Sequence, residues 1–273
     1  MSRTPTLALL SLWFALATPA LAQTPATPAP VPAVDPALPG QLKELKAMVA
    51  EPKMESDFRA IGLVQVLKKD LDQRNPKDKE KICKALGDVF RTGKVRSADK
   101  DQLYLEVGDA LSKFGEDGAK ELAKVLGDAR IKDQITLRSK LILHLGLTQD
   151  EKQVEWLADE ATRSPHDEIR AAAGEALGNY TSLDTKPRRE VVKQLIREWG
   201  SLHQKATTMT NNDPNAPIDT NPENARKTLR AVEGKWNATL AKLTGVSHSA
   251  FPDWQRWLNK NPNWTPPAPP KKP

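Results

Sequence analysis

Ile169-Arg-Ala-Ala-Ala-Gly-Glu-Ala-Leu-Gly178 and Val107-Gly-Asp-Ala-Leu-Ser-Lys-Phe-Gly115 are two versions of one phrase. Each sets small and apolar residues at helical spacing and ends in glycine. A helix of this kind cannot form a core alone, so it must bury its apolar face against neighbouring units. The repetition predicts stacked helical hairpins, an α-solenoid, rather than a symmetric bundle.

Working outward, apolar residues recur at three and four through the whole body. Phe58, Ile61, Val64, Leu67 and Leu71 form one stripe, and Ile82, Leu86, Val89 and Phe90 the next. Further stripes end in the long series Leu229, Val232, Trp236, Leu240 and Leu243. No stretch keeps a period of two, so the fold class is all-α. The helices group as about five hairpins, 41–72, 79–115, 118–147, 151–180 and 187–244. Leu111, Leu145, Leu177 and Leu243 fall in register at steps of 34, 32 and 66, the last being two steps of 33. Prolines 52, 76, 165 and 187 lie between stripes or at their starts, where a missing N–H does least harm. Glycines 93, 115, 146 and 178 fall near stripe ends, the place for helix C-caps.

Asp167-Glu-Ile-Arg170-Ala-Ala-Ala-Gly-Glu-Ala-Leu-Gly178 resembles the second-helix pattern of the HEAT-repeat family of armadillo-type solenoids. Phe114-Gly-Glu-Asp-Gly-Ala-Lys-Glu-Leu-Ala-Lys-Val-Leu-Gly-Asp128 is similar to that family's junction into the next first helix. The match covers Val107 to Gly178 and fades on either side. The resemblance implies that Asp167 and Arg170 tie adjacent repeats together, a structural role; other repeats do not carry the pair cleanly. The C-terminal run, Phe251-Pro-Asp-Trp254-Gln-Arg-Trp257-Leu and then Trp264, resembles the closing segment of secreted bacterial HEAT-like proteins. Two readings of Trp254, Trp257 and Trp264 stand open: a cap over the last repeat, or an aromatic platform for a sugar or partner helix.

The ends of the chain are compositionally distinct. Arg3, the apolar run Leu7 to Ala17 and Ala20-Leu-Ala22 read as a secretory signal peptide over 1–22, cut before Gln23. The apolar run is shorter than the ~20 residues of a membrane span, so no span is expected after cleavage. The expected destination is periplasmic or secreted. Residues 23–40, with six prolines, read as an extended spacer, and 265–273 as a Pro/Lys-rich tail. The solenoid domain is then 41–264. Setting aside Arg3, Asp35, Lys271 and Lys272 leaves it at +4, against +6 for the chain. Without a tight basic run interleaved with aromatics, that excess speaks against nucleic acid and leaves anionic glycan as an alternative partner.

Chemistry is sparse. Cys83 is the single cysteine and lies on an apolar stripe, so it reads as a buried, inert thiol. His144 reads as a hydrogen-bonded core or edge residue, and His166, His203 and His248 as solvated. Acidic pairs such as Glu116-Asp117, Asp150-Glu151 and Asp167-Glu168 sit where helix dipoles favour them. No catalytic residue, metal ligand set or cofactor site emerges. The long segment 205–223 is open to three readings: a disordered insertion, a partner-binding loop, or a calcium loop using Asp213, Asn215 and Asp219. The function expected is a non-enzymatic, protein- or peptide-binding scaffold of the bacterial envelope. Alternatives are a binder of anionic envelope polymers and, by the family resemblance, a lyase or chaperone. Exposed positions on the helices carrying Leu145 and Leu177 are the first place to look for the binding face.

Overall fold

A computed structural model describes residues 32–208 and 221–267. The proposed signal peptide, Asp213, Asn215, Asp219 and the last six residues lie outside them. Eleven α-helices and no strand occur among the described residues. They are α1 (Leu38–Ala50), α2 (Asp57–Leu67), α3 (Pro76–Val89), α4 (Gln102–Ser112), α5 (Gly115–Leu126) and α6 (Ile135–Leu147). Then come α7 (Val154–Arg163), α8 (Asp167–Leu177), α9 (Thr185–Thr207), α10 (Asn221–Thr244) and α11 (Phe251–Lys260).

Consecutive helices pack as hairpins: α1 with α2, α3 with α4, α5 with α6, α7 with α8, and α9 with α10. Each second helix also packs on the next, in the unbroken order α2, α4, α6, α8, α10. First helices do the same at α1 with α3, α3 with α5 and α7 with α9, and α11 packs on α9. At the remaining junction Lys152, before α7, reaches Glu116 of α5 at 2.5 Å. One continuous apolar core runs from Leu38 to Trp264. The register step of 66 is one hairpin and not two, because α9 and α10 are 23 and 24 residues long.

The small residues of α8 have a packing cause. The helix lies between α6, α7 and α10, and eight of its eleven residues are buried. A Cβ at Gly146 of α6 would stand 2.6 Å from the Cβ of Ala176, and one at Gly174 would strike the Trp236 indole. The α6 and α8 backbones approach closely because only Gly146 and Ala176 stand between them, whereas Gly174 makes room for the Trp236 indole of α10.

Gly146 and Gly178 are therefore packing residues rather than left-handed caps: Gly178 has φ −65°, and its Cβ would crowd Thr239. The left-handed residue after α6 is Gln149, with φ 54°. Gly93 and Gly115 do take positive φ. The acidic pairs fall at element starts: Glu116 and Asp117 in the first turn of α5, Asp167 and Glu168 in that of α8.

Order extends past both ends of the 41–264 body. Leu38, inside the stretch read as spacer, is buried at the start of α1. Asp35 N–H donates to Asp78, and the Asn75 side chain donates to the Pro32 carbonyl at 2.8 Å. At the other end the buried Arg188 donates to the Pro267 carbonyl at 3.3 Å.

Candidate binding surfaces

Asp167 and Arg170 open α8 and bond different partners on the following hairpin. Arg170 Nη2 donates to Glu198 of α9 at 2.7 Å, and its Nε donates to the Ala161 carbonyl of α7 at 3.2 Å. Its guanidinium lies 5.9 Å from the Trp236 ring. Asp167 accepts from the Thr228 hydroxyl of α10 at 2.6 Å.

The other second helices are joined by residues that the motif does not mark. Arg96 is fully buried before α4 and holds both carboxylate oxygens of Asp57, at 2.6 and 2.7 Å. Burial disfavours its charge, but the Asp57 and Tyr104 contacts outweigh that and raise its pKa. Lys140 of α6 pairs with Asp101, and Lys235 of α10 with Glu175 of α8. A series of polar ties thus exists with changing chemistry, which explains why a single residue pattern did not find it.

A titratable cluster also emerges only in three dimensions. Lys68, at the end of α2, donates to Glu106 at 2.5 Å and Asp109 at 2.9 Å on α4. Burial opposes both charges, yet the mutual hydrogen bonds win: the Lys68 pKa is raised and that of Asp109 lowered. His144 of α6 lies nearby, packed over Gly108, and burial lowers its pKa against the pull of Asp109. Its Nδ1 is buried without a hydrogen-bond partner among the described residues, unlike the bonded state expected. Lys68, Glu106 and Asp109 satisfy one another, and the cluster forms no metal-binding group of three among the described residues.

The helix carrying Leu177 offers little surface, since only Glu168 is exposed on it and Glu175 is half-buried. Exposed apolar side chains on second helices lie elsewhere: Phe58 and Val66 on α2, and Leu147 on α6. Phe58 is 84 % exposed beside a cavity of about 510 Å³ lined also by Met54, Ile61 and Leu103.

The three tryptophans come together over α9 and α10. Trp254 is fully buried and donates from Nε1 to Asn237 of α10 at 2.6 Å. Trp257 meets Trp254 edge-on at 5.8 Å and Trp264 at 5.6 Å. With Trp254 and Trp264 both buried, only Trp257 keeps partial exposure, which favours a cap over a platform.

His203 and His248 are half-buried rather than fully solvated. His203 stacks on Phe251 at 5.0 Å, and His248 meets Trp254 edge-on at 4.7 Å. Both Nε2 atoms are buried without a partner among the described residues. Arg189 secures the same segment by donating to the Trp264 and Asn263 carbonyls at 2.6 and 2.5 Å.

The seating of α11 on α9 leaves a groove of about 850 Å³. Its floor includes Ile196, Gly200 and Leu258, and its rim Lys193, Arg197, Gln204, Gln255 and Asn259. Gly200 permits the seating, because a Cβ there would stand 2.8 Å from the Phe251 ring. Cys83, by contrast, is buried among apolar residues; burial first, then Glu121, pushes its thiol pKa up to about 12.

Comparison with protein-family models, curated proteins and solved structures finds no match to this chain. No helix among the described residues is long and apolar enough to cross a membrane.

Proposed function

We propose that the chain is a HEAT-like α-solenoid that serves as a non-enzymatic scaffold or adaptor in the bacterial cell envelope, holding a protein or peptide. The observation that carries this reading is the contact pattern: each second helix touches its own hairpin partner and the adjacent second helix or helices in the series α2, α4, α6, α8, α10. Stacks of that kind offer long surfaces made by many units, which suit extended ligands. Exposed Phe58 on the second helices is an aromatic side chain of a kind enriched at interfaces, and exposed Val66 and Leu147 add apolar area.

The envelope location rests on Arg3, Leu7–Ala17 and Ala20-Leu-Ala22. Terminal sequencing of the protein recovered from the envelope is expected to begin at Gln23; recovery from the cytoplasm with Met1 intact would remove that part of the reading. The scaffold itself is tested by crosslinking the tagged protein in its native envelope and identifying what is captured. One recurrent protein, lost on combining Phe58→Asp with Leu147→Asp or on reversing surface charges elsewhere, supports it. Recovery of polysaccharide alone sinks it and favours the glycan alternative.

A further inference from the structure

We infer that the groove between α9 and α11 binds an extended, acidic–apolar peptide segment of a partner protein. The inference rests on the protein-binding reading above and names a site and ligand chemistry for it.

Charge comes first. The groove lining includes Lys193 and Arg197 and no carboxylate. Lys193 is met at 3.0 Å by Glu190, one turn back on its own helix. Arg197 makes no hydrogen bond or ion pair among the described residues. It also borders a smaller cavity of about 220 Å³ that contains Asp159 and Glu198. Those two carboxylates are already held, Asp159 by Arg163 at 3.1 Å and Glu198 by Arg170 at 2.7 Å. The guanidinium is thus left free for an anion from outside, and its planar fork suits a carboxylate.

The rest of the lining fits a peptide main chain. Gln204 carries both a donor and an acceptor, as an extended backbone does. Gln255 donates to Asn259 at 3.0 Å, which leaves the Gln255 carbonyl and the Asn259 amide N–H to face a ligand. Lys193 to Gln204 spans about 16 Å of helix, the length of about five extended residues. Leu258 and Pro262 give the groove apolar surface for alternate side chains, over the buried Ile196. Acidic side chains directed at the cationic rim, alternating with apolar ones directed at Leu258 and Pro262, complement both the charge and the apolar surface of this lining.

The test is to pan a phage-displayed library of short random peptides against the full chain. Fluorescein-tagged copies of the enriched sequences are then titrated by fluorescence polarisation. Enriched sequences are expected to alternate Asp or Glu with apolar residues. Their affinity is expected to fall about tenfold in K193E/R197E, and also in K193A/R197A, with unchanged helical circular dichroism in both.

Basic or neutral enriched sequences, or no enrichment, would overturn the inference. So would affinity unchanged in both double variants. If that unchanged affinity is instead lost in F58D/L147D, the groove is excluded while the scaffold reading stands. Polygalacturonate bound at this groove in place of any peptide would likewise overturn it and transfer the site to a glycan.

Discussion

Gly146 and Gln149 show how one turn of chain can hold two opposite demands. Gly146 has no room for a side chain, since a Cβ would meet Ala176 Cα at 2.8 Å and its carbonyl at 2.9 Å. Gly146→Ala is therefore expected to lower stability by about 1–3 kcal/mol through overpacking against backbone. Gln149 sits at φ 54°, where an ordinary side chain is strained. Gln149→Gly is expected to raise stability by up to about 1 kcal/mol. Urea unfolding of both variants checks the pair, and stabilisation by Gly146→Ala would show that α6 and α8 lie farther apart than described. Cys83, buried with its thiol pKa raised to about 12, is expected to resist thiol reagents until the chain unfolds. Fast labelling of the native protein would contradict that burial.

At the scale of the element, α8 is the most confined helix, and its polar ties are unequal. Arg170 bonds α7 and α9 at once and lies by Trp236, whereas Asp167 accepts one short hydroxyl bond from Thr228 and faces Lys227 at 3.8 Å. Arg170→Ala should cost about 2 kcal/mol, in the range of charge-assisted bonds, and Asp167→Ala about 1 kcal/mol. Equal effects, or none for Arg170→Ala, would deny it the role of tie between hairpins. The segment that follows the C-terminal helix is held differently, by arginines on backbone carbonyls. Removing Arg189 frees the Asn263 and Trp264 carbonyls, so Arg189→Ala is expected to expose Trp264 and shift tryptophan emission to the red. An unchanged spectrum would mean that aromatic packing alone secures the cap.

For the molecule as a whole, the ion pairs between helices set a pH window. In the folded chain Asp109 and Glu121 have lowered pKa values: burial acts against their charge, but contacts with Lys68, and with Lys124 and Arg91, prevail. The stability that they contribute is present above the unfolded carboxylate values and is lost as pH falls through the lower folded ones. Lys68 works in the other direction, because its folded value lies above the ordinary 10.5. Its contribution is complete below that value and disappears as pH rises through the folded one. His144, kept neutral by burial, adds a loss that begins as pH falls below the ordinary 6.5. Stability should therefore be level above about pH 7, decline gently below it, and drop more steeply below about pH 4 as the carboxylates protonate. Thermal melts from pH 3 to 8 test this, and Asp109→Asn should flatten part of the acid fall. An acid limb identical in that variant would remove Asp109 from the account.

Local pattern carried most of the architecture. Helical period, glycine and proline positions placed five hairpins within a few residues of those observed, because a helix with one apolar face has few ways to be buried. The same local signals put Cys83 in the core and the acidic pairs at element starts, where dipole and burial act over a single turn. What the sequence left open depended on neighbours far along the chain. Whether a glycine is a cap or a contact is decided by what faces it: Ala176 for Gly146, the Trp236 indole for Gly174, and Phe251 for Gly200. His203 and His248 read as solvated and became parts of the aromatic cluster because α11 folds back on α9. The α9–α11 groove has the same origin. Its cations and amides come from segments about sixty residues apart, and only packing, which fixes distance between elements rather than along them, could bring them to one surface.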